Sequence, residues 1–278
     1  MIFTTLLLLG SAAFECYNNF YAKKTLKLGV KTNAYIYTLN IALLTFGLLL
    51  FIFFPFNFNF IKLDLILLLL VAAFLRVADL FGMVKGLEDV TPMEMSAIST
   101  LTITATYFID IFIGASTFNT FALLAVLVVV TGSLIISRGS LGIKKAKFAL
   151  ILKVIMSVSR GYIGYFILKQ INSATYVFII TLIAVLVMLP FTKKLKPTKM
   201  AFKRAYFIQI FGVITFLFQA WLSSISATLY MLVMPLGLGI TILATYLMKK
   251  ETSKLYQLIG AIIVFVGVLG FGFIQFYL

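Results

Sequence analysis

Runs of about twenty apolar residues, repeated from one end of the chain to the other, constrain this sequence more than any other feature. A helix rising 1.5 Å per residue crosses a hydrocarbon core of about 30 Å in about 20 residues, and in that core only a helix or a closed barrel satisfies its own backbone. The runs predict ten crossings, at 2–21, 33–54, 63–84, 90–113, 118–137, 148–168, 173–191, 205–222, 226–248 and 255–276. The connectors are too short for a separate domain, and the longest, Thr192 to Arg204, is basic. With 63% apolar and 11% charged residues, the chain reads as an all-α polytopic protein of the plasma or bacterial inner membrane, with the lipid bilayer as its first partner. The first run contains Glu15 and lacks a basic start and a small-residue cleavage site, so a span is expected there rather than a signal peptide.

A net charge of +15 would suggest nucleic acid in a soluble protein. Here the cations sit in connectors, eighteen after odd-numbered spans (from Lys23 to Lys254) against Lys62 and Lys169 after even-numbered ones. That asymmetry orients a membrane protein, with the basic connectors in the cytoplasm and both termini outside; no nucleic-acid partner is expected. One cysteine, Cys16, and no histidine leave no internal disulfide, and neither a metal nor a cofactor is expected.

An offset of 135 lays Gly132 on Gly267, Leu101 on Leu236, Thr91 on Ser226 and Thr117 on Thr252; an offset of 145 lays Tyr17 on Tyr162 and Lys24 on Lys169. These matches predict two five-helix repeats, 1–139 and 140–278. Five is odd, so the repeats run in opposite senses through the bilayer, the arrangement that supports alternating access.

The stretch from Pro235 to Gly272 carries a proline in the ninth span, Glu251 in a short connector, then Gly260, Gly267 and Val268 in the tenth. In these positions it resembles the closing helix pair of EamA-type members of the drug/metabolite transporter superfamily. The first half keeps Gly132 but has Thr100 and Ser116 where the proline and the acid would stand. The resemblance implies a ten-helix fold and transport of small solutes, and no particular substrate.

Charge inside an apolar span is tolerated where it pairs or lines a wet cavity, since one ionised side chain at mid-bilayer costs about 2.5–3.5 kcal/mol. Span 1 carries Ser11, Glu15, Asn18 and Asn19 at helical spacing, and span 6 carries Lys153, Ser157, Arg160 and Gly164. Glu15 is the expected site for a cationic group and for proton coupling, and Arg160 for an anionic group; a Glu15–Arg160 salt bridge locking the halves is the structural alternative. Lys153 is expected to snorkel to the surface. Arg76 and Asp79, three apart in span 3, either neutralise each other or face the cavity. Span 8 presents Gln209, Gly212, Phe216 and Gln219 on one stripe. The substrate-binding set is therefore Glu15, Tyr17, Asn19, Arg76, Asp79, Arg160, Tyr162 and Gln219. Glu94 suits a helix cap as well as a functional role, and Asp110 has no evident partner.

No phosphate loop, metal spacing or nucleophile with a base is present, so no enzyme is expected. Carboxylates and guanidinia in one cavity suit a small zwitterionic metabolite such as an amino acid, exported by a secondary transporter acting as monomer or homodimer. A proton-coupled organic-cation or drug exporter built on Glu15 is the alternative, and a non-transporting membrane partner or lipid-handling protein the alternative of another class.

Overall fold

Apolar side chains cover these helices on both their packed and their open faces, as a chain requires when one side meets protein and the other lipid. The open faces carry Phe74, Phe112, Phe148, Leu134 and Phe273, all largely exposed. The computed structural model describes residues 2–114, 116–138, 141–192, 199–225, 227–231, 233–248 and 255–277. The first half holds α1 (Ile2–Leu26), α2 (Thr32–Leu49), α3 (Leu63–Asp89), α4 (Pro92–Ser99), α5 (Leu101–Phe112) and α6 (Thr120–Ser137). The second holds α7 (Leu141–Leu168), α8 (Ser173–Thr192), α9 (Lys199–Ile225), α10 (Ala227–Met231), α11 (Val233–Met248) and α12 (Leu255–Tyr277). Among the described residues there is no strand.

Seven helical segments of the described residues are long and apolar enough to cross a membrane: Thr32–Ile52, Leu63–Asp89, Pro92–Phe112, Thr120–Ser137, Gly142–Leu168, Ser173–Phe191 and Leu255–Ile274. The other three expected spans fall on α1, diluted by its polar stripe and lysines; on α9, with its basic start; and on α10 and α11, described as two pieces. Of the connector residues used above, Lys193, Lys194, Lys196, Ser226, Lys249, Lys250, Glu251, Thr252 and Lys254 lie outside the described residues.

The fourth expected span is one membrane-length segment, Pro92–Phe112, with a local break at Thr100 between α4 and α5. Its start is a capping box, in which Thr91 Oγ1 accepts from Glu94 N at 3.2 Å and Glu94 Oε2 accepts from Thr91 N at 2.9 Å, with Pro92 just inside. Glu94 thus serves as a cap. The interruption follows from hydroxyls that turn back onto the backbone: Thr100 donates to Ala97 O and Thr102 to Ser99 O.

The helices pair mainly as α6 with α12, α3 with α7, α2 with α8 and α9, and α1 with α9 and α11. Glycine sets the two closest seams. A Cβ at Gly132 would lie 2.6 Å from Gly260 O, and one at Gly260 2.8 Å from Gly132 O, so α6 and α12 meet backbone to backbone. A Cβ at Gly82 would lie 2.7 Å from Ala149 O and 2.8 Å from Lys153 N, which brings α3 equally close to α7. Gly270 and Gly272, by contrast, face no close neighbour.

Candidate functional site

The α3–α7 seam carries the buried charge. Lys153 and Arg160 lie seven residues apart on α7, two turns along one face, and both reach across to Asp79 on α3. Lys153 Nζ donates to Asp79 Oδ1 at 3.1 Å, and Arg160 Nη1 lies 2.9 Å from Asp79 Oδ2. All three side chains are buried. Arg160 also donates through Nη2 to the Tyr230 hydroxyl of α10.

These contacts exclude two of the alternatives and correct one expectation. Asp79 does not neutralise Arg76 on its own helix, since both its oxygens are taken by α7. Arg160 pairs with Asp79 rather than with Glu15. Lys153 does not snorkel: Gly82 lets α3 approach until a carboxylate lies within reach of the ammonium, and Lys153 is only 3% exposed. Asp110, without an evident partner in the sequence, accepts from the Tyr162 hydroxyl.

Arg76 is left with other company. Its Nε donates to Asn40 Oδ1 at 3.3 Å, and its guanidinium carbon stands 4.0 Å from the centre of the Phe216 ring. Asn40 is itself oriented by donating to Ile36 O at 3.0 Å. Among the described residues Arg76 makes no ion pair, and the side chain of Glu15 makes neither an ion pair nor a hydrogen bond.

Both unpaired charges line one cavity of about 60 Å³, enclosed by α1, α2, α3, α7 and α9. Of the eight expected residues, Glu15, Arg76, Asp79, Arg160 and Gln219 line it; Lys153 and Asn18 join them. All four members of the α9 stripe, Gln209, Gly212, Phe216 and Gln219, face it. Tyr17, Asn19 and Tyr162 do not. Tyr162 sits two residues from Arg160, about 200° around α7, and also donates to Thr106 O at 3.3 Å; Tyr17, about 100° around α1 from its neighbour Asn18, is turned outward and 51% exposed. Asn19 is buried beyond the cavity, its Oδ1 without a partner among the described residues.

Counting formal charges, the lining offers three cations, Arg76, Lys153 and Arg160, against two carboxylates, Asp79 and Glu15. Asn18 Oδ1 and Ser157 Oγ, between the charges on their helices, are buried without a hydrogen-bond partner among the described residues. Asn40 and Tyr230, which hold the two arginines, were not singled out in the sequence. A lone amide within an apolar span was the available signal for Asn40; Tyr230 offered none. No group of three or more His, Cys, Asp or Glu side chains among the described residues forms a metal site.

A comparison with curated proteins returned no match. Among solved structures 27 chains match; one, described only as a crystal structure of a protein, aligns over 95% of this chain and 98% of its own with a TM-score of 0.63 at 10% identity, which shows a shared fold. The family model described as the EamA-like transporter family matches residues 144–273. The second half of the chain is thus similar to that family, and the apolar helices of the chain are those of a multi-pass membrane protein.

Proposed function

We propose that the protein carries a small zwitterionic metabolite, of the amino-acid kind, through the bilayer by alternating access between two inverted five-helix repeats, with export as the direction. The observation that carries this reading is the pair of unpaired opposite charges, Arg76 and Glu15, lining one buried cavity. Arg76, oriented by Asn40 and backed by Phe216, receives a carboxylate. Glu15 receives an ammonium group, and Asn18 Oδ1, an acceptor with no donor among the described residues, supplements it. Asp79 balances Lys153 and Arg160 and belongs to the frame. An organic cation fits this lining less well, because formal cations outnumber carboxylates there.

Helix pairing supports the ten-span inverted repeat. In the order of the repeats α1 corresponds to α7, α2 to α8, α3 to α9, α4 and α5 to α10 and α11, and α6 to α12. The seams α2–α8 and α6–α12 then map onto themselves, α3–α7 maps onto α1–α9, α2–α9 onto α3–α8, and α1–α11 onto the contacts of α4 and α5 with α7. The cavity supports alternating access: about 60 Å³ admits water and not a metabolite, whose sites are typically about 300–1,000 Å³. Loading therefore requires the halves to move.

Counterflow in proteoliposomes tests the reading, with labelled zwitterionic amino acids, organic cations and monocarboxylates offered in parallel. Exchange of a zwitterion is expected, lost in both Arg76→Gln and Glu15→Gln. Exchange confined to organic cations and untouched by Arg76→Gln would overturn it.

A further inference from the structure

A second, larger cleft lies away from the charged cavity. It has a volume of about 650 Å³ and runs between α1 and α11, with Pro92 of α4 at its edge. Its α1 wall is one helix face: Ala13, Cys16, Tyr17, Phe20 and Lys24 recur at intervals of three, one, three and four, and Lys27 follows three residues later. Along that face the chemistry changes once. From Ala13 to Tyr21 the wall is apolar and aromatic over about 12 Å of helix, close to half of a hydrocarbon core of about 30 Å. Beyond it come three lysines in the last turn and just past it.

The lysines are not equivalent. Lys23 Nζ is used by the protein, donating to Leu87 O at 2.6 Å and Glu88 O at 3.1 Å at the end of α3. Lys24 and Lys27 are exposed and make no ion pair among the described residues. The cleft thus offers an apolar groove about 12 Å long, close to the depth of one leaflet, that ends in two exposed cations. We infer that it is a binding site for an anionic phospholipid of the cytoplasmic leaflet, with one acyl chain along the α1–α11 groove and its phosphate on Lys24 and Lys27. The stacked rings of Tyr17 and Tyr21, 6.2 Å apart, form the wall against which the chain lies. Cationic connectors on the cytoplasmic side meet the leaflet that carries anionic lipid.

Native mass spectrometry of the full chain, purified in detergent and offered phosphatidylglycerol and phosphatidylcholine with identical acyl chains, tests the assignment. Phosphatidylglycerol should be retained preferentially. Two lysines at about 1 kcal/mol each make its binding about thirtyfold weaker in Lys24→Gln/Lys27→Gln. Lys144→Gln/Lys145→Gln removes the same charge from the exposed first turns of α7 and should change nothing. Ala13→Trp, which fills the groove from an exposed position and leaves the lysines intact, should also lose the lipid. Equal retention of both lipids, an unchanged preference in the Lys24/Lys27 variant, or equal loss in the Lys144/Lys145 variant would each overturn the site. Competition by inorganic phosphate as effective as by the lipid would show that the lysines hold a free anion and that the groove takes no acyl chain.

Discussion

Replacing Asp79 by Asn should be among the most damaging single changes available to this protein. One carboxylate serves two buried cations, at 3.1 Å from Lys153 and 2.9 Å from Arg160, and the amide that replaces it carries no charge. Removing one partner of a buried ion pair costs about 3–5 kcal/mol, most of it from the charge left behind. Here two charges are left, although Arg160 keeps its bond to the Tyr230 hydroxyl, so the expected loss lies at the top of that range, about 5 kcal/mol. Lys153→Met added to Asp79→Asn removes one of the stranded charges and should recover stability rather than lose more. Replacing all three by apolar residues of similar size should bring the protein back near wild type, since buried ion triads are often no more stable than well-packed apolar substitutes. Reversible unfolding in mixed micelles with rising SDS fraction, followed by helical circular dichroism, gives the free energies. The reasoning fails if Asp79→Asn costs under about 1 kcal/mol, or if the triple variant is the least stable of the series.

Arg76→Gln should fold as wild type, because it removes a buried charge that has no ionic partner, and should abolish binding of carboxylate solutes in isothermal titration. Glu15→Gln should keep substrate counterflow only for solutes lacking an ammonium group, and should lose any stimulation by a pH gradient; gradient-driven transport at the wild-type rate would remove Glu15 from proton coupling. Gly82→Leu should separate α3 from α7, whose backbone lies 2.7 Å from the Cβ position, and lower unfolding stability by several kcal/mol, about as overpacking does; the same change at Gly47, with open space around it, should be nearly neutral.

Helical spacing carried most of what the sequence revealed. The α9 stripe of Gln209, Gly212, Phe216 and Gln219 was legible because four polar or small residues recur at intervals of three and four, and all four face the cavity. Tyr17 and Tyr162 lie outside the cavity lining for the complementary reason: depth in the bilayer suggested them, while their angle around the helix was not weighed. The partners of Asp79 were hidden because spacing within one helix shows only local candidates. The seam at Gly82 decides the outcome, and a glycine in sequence does not say which helix it admits. The break at Thr100 was hidden too, since it depends on hydroxyls turning back onto backbone carbonyls of their own helix, as those of Thr100 and Thr102 do.

The two seams exchanged by the proposed repeat differ in a way that bears on how the carrier opens. The α3–α7 seam is shut, with backbone contact at Gly82 and the Asp79 triad buried beside it. Its mate, α1–α9, holds a cleft of about 390 Å³ bordered by Gly10, Phe14, Phe211 and Ile214. Phe211 and Ile214 occupy the positions that correspond to Arg76 and Asp79, and they are 63% and 43% exposed. In an inverted repeat the opposite-facing state is reached when the halves exchange conformations, so the shut seam opens as the open one closes. The α9 sequence has no acidic residue to replace the carboxylate of Asp79, so under the proposed exchange the triad is a bias toward the state seen here. Cysteines in place of Gly86 and Leu150 test the exchange, because a Cβ at Gly86 lies 3.1 Å from Leu150 Cδ2 and 3.8 Å from its Cγ, so the two side chains face each other across α3 and α7. In a Cys16→Ser background, oxidation of that pair should stop transport in proteoliposomes and reduction should restore it. Transport that continues with the disulfide intact would make α3–α7 a fixed hinge, and the motion that admits substrate would then lie wholly in the α1–α9 seam.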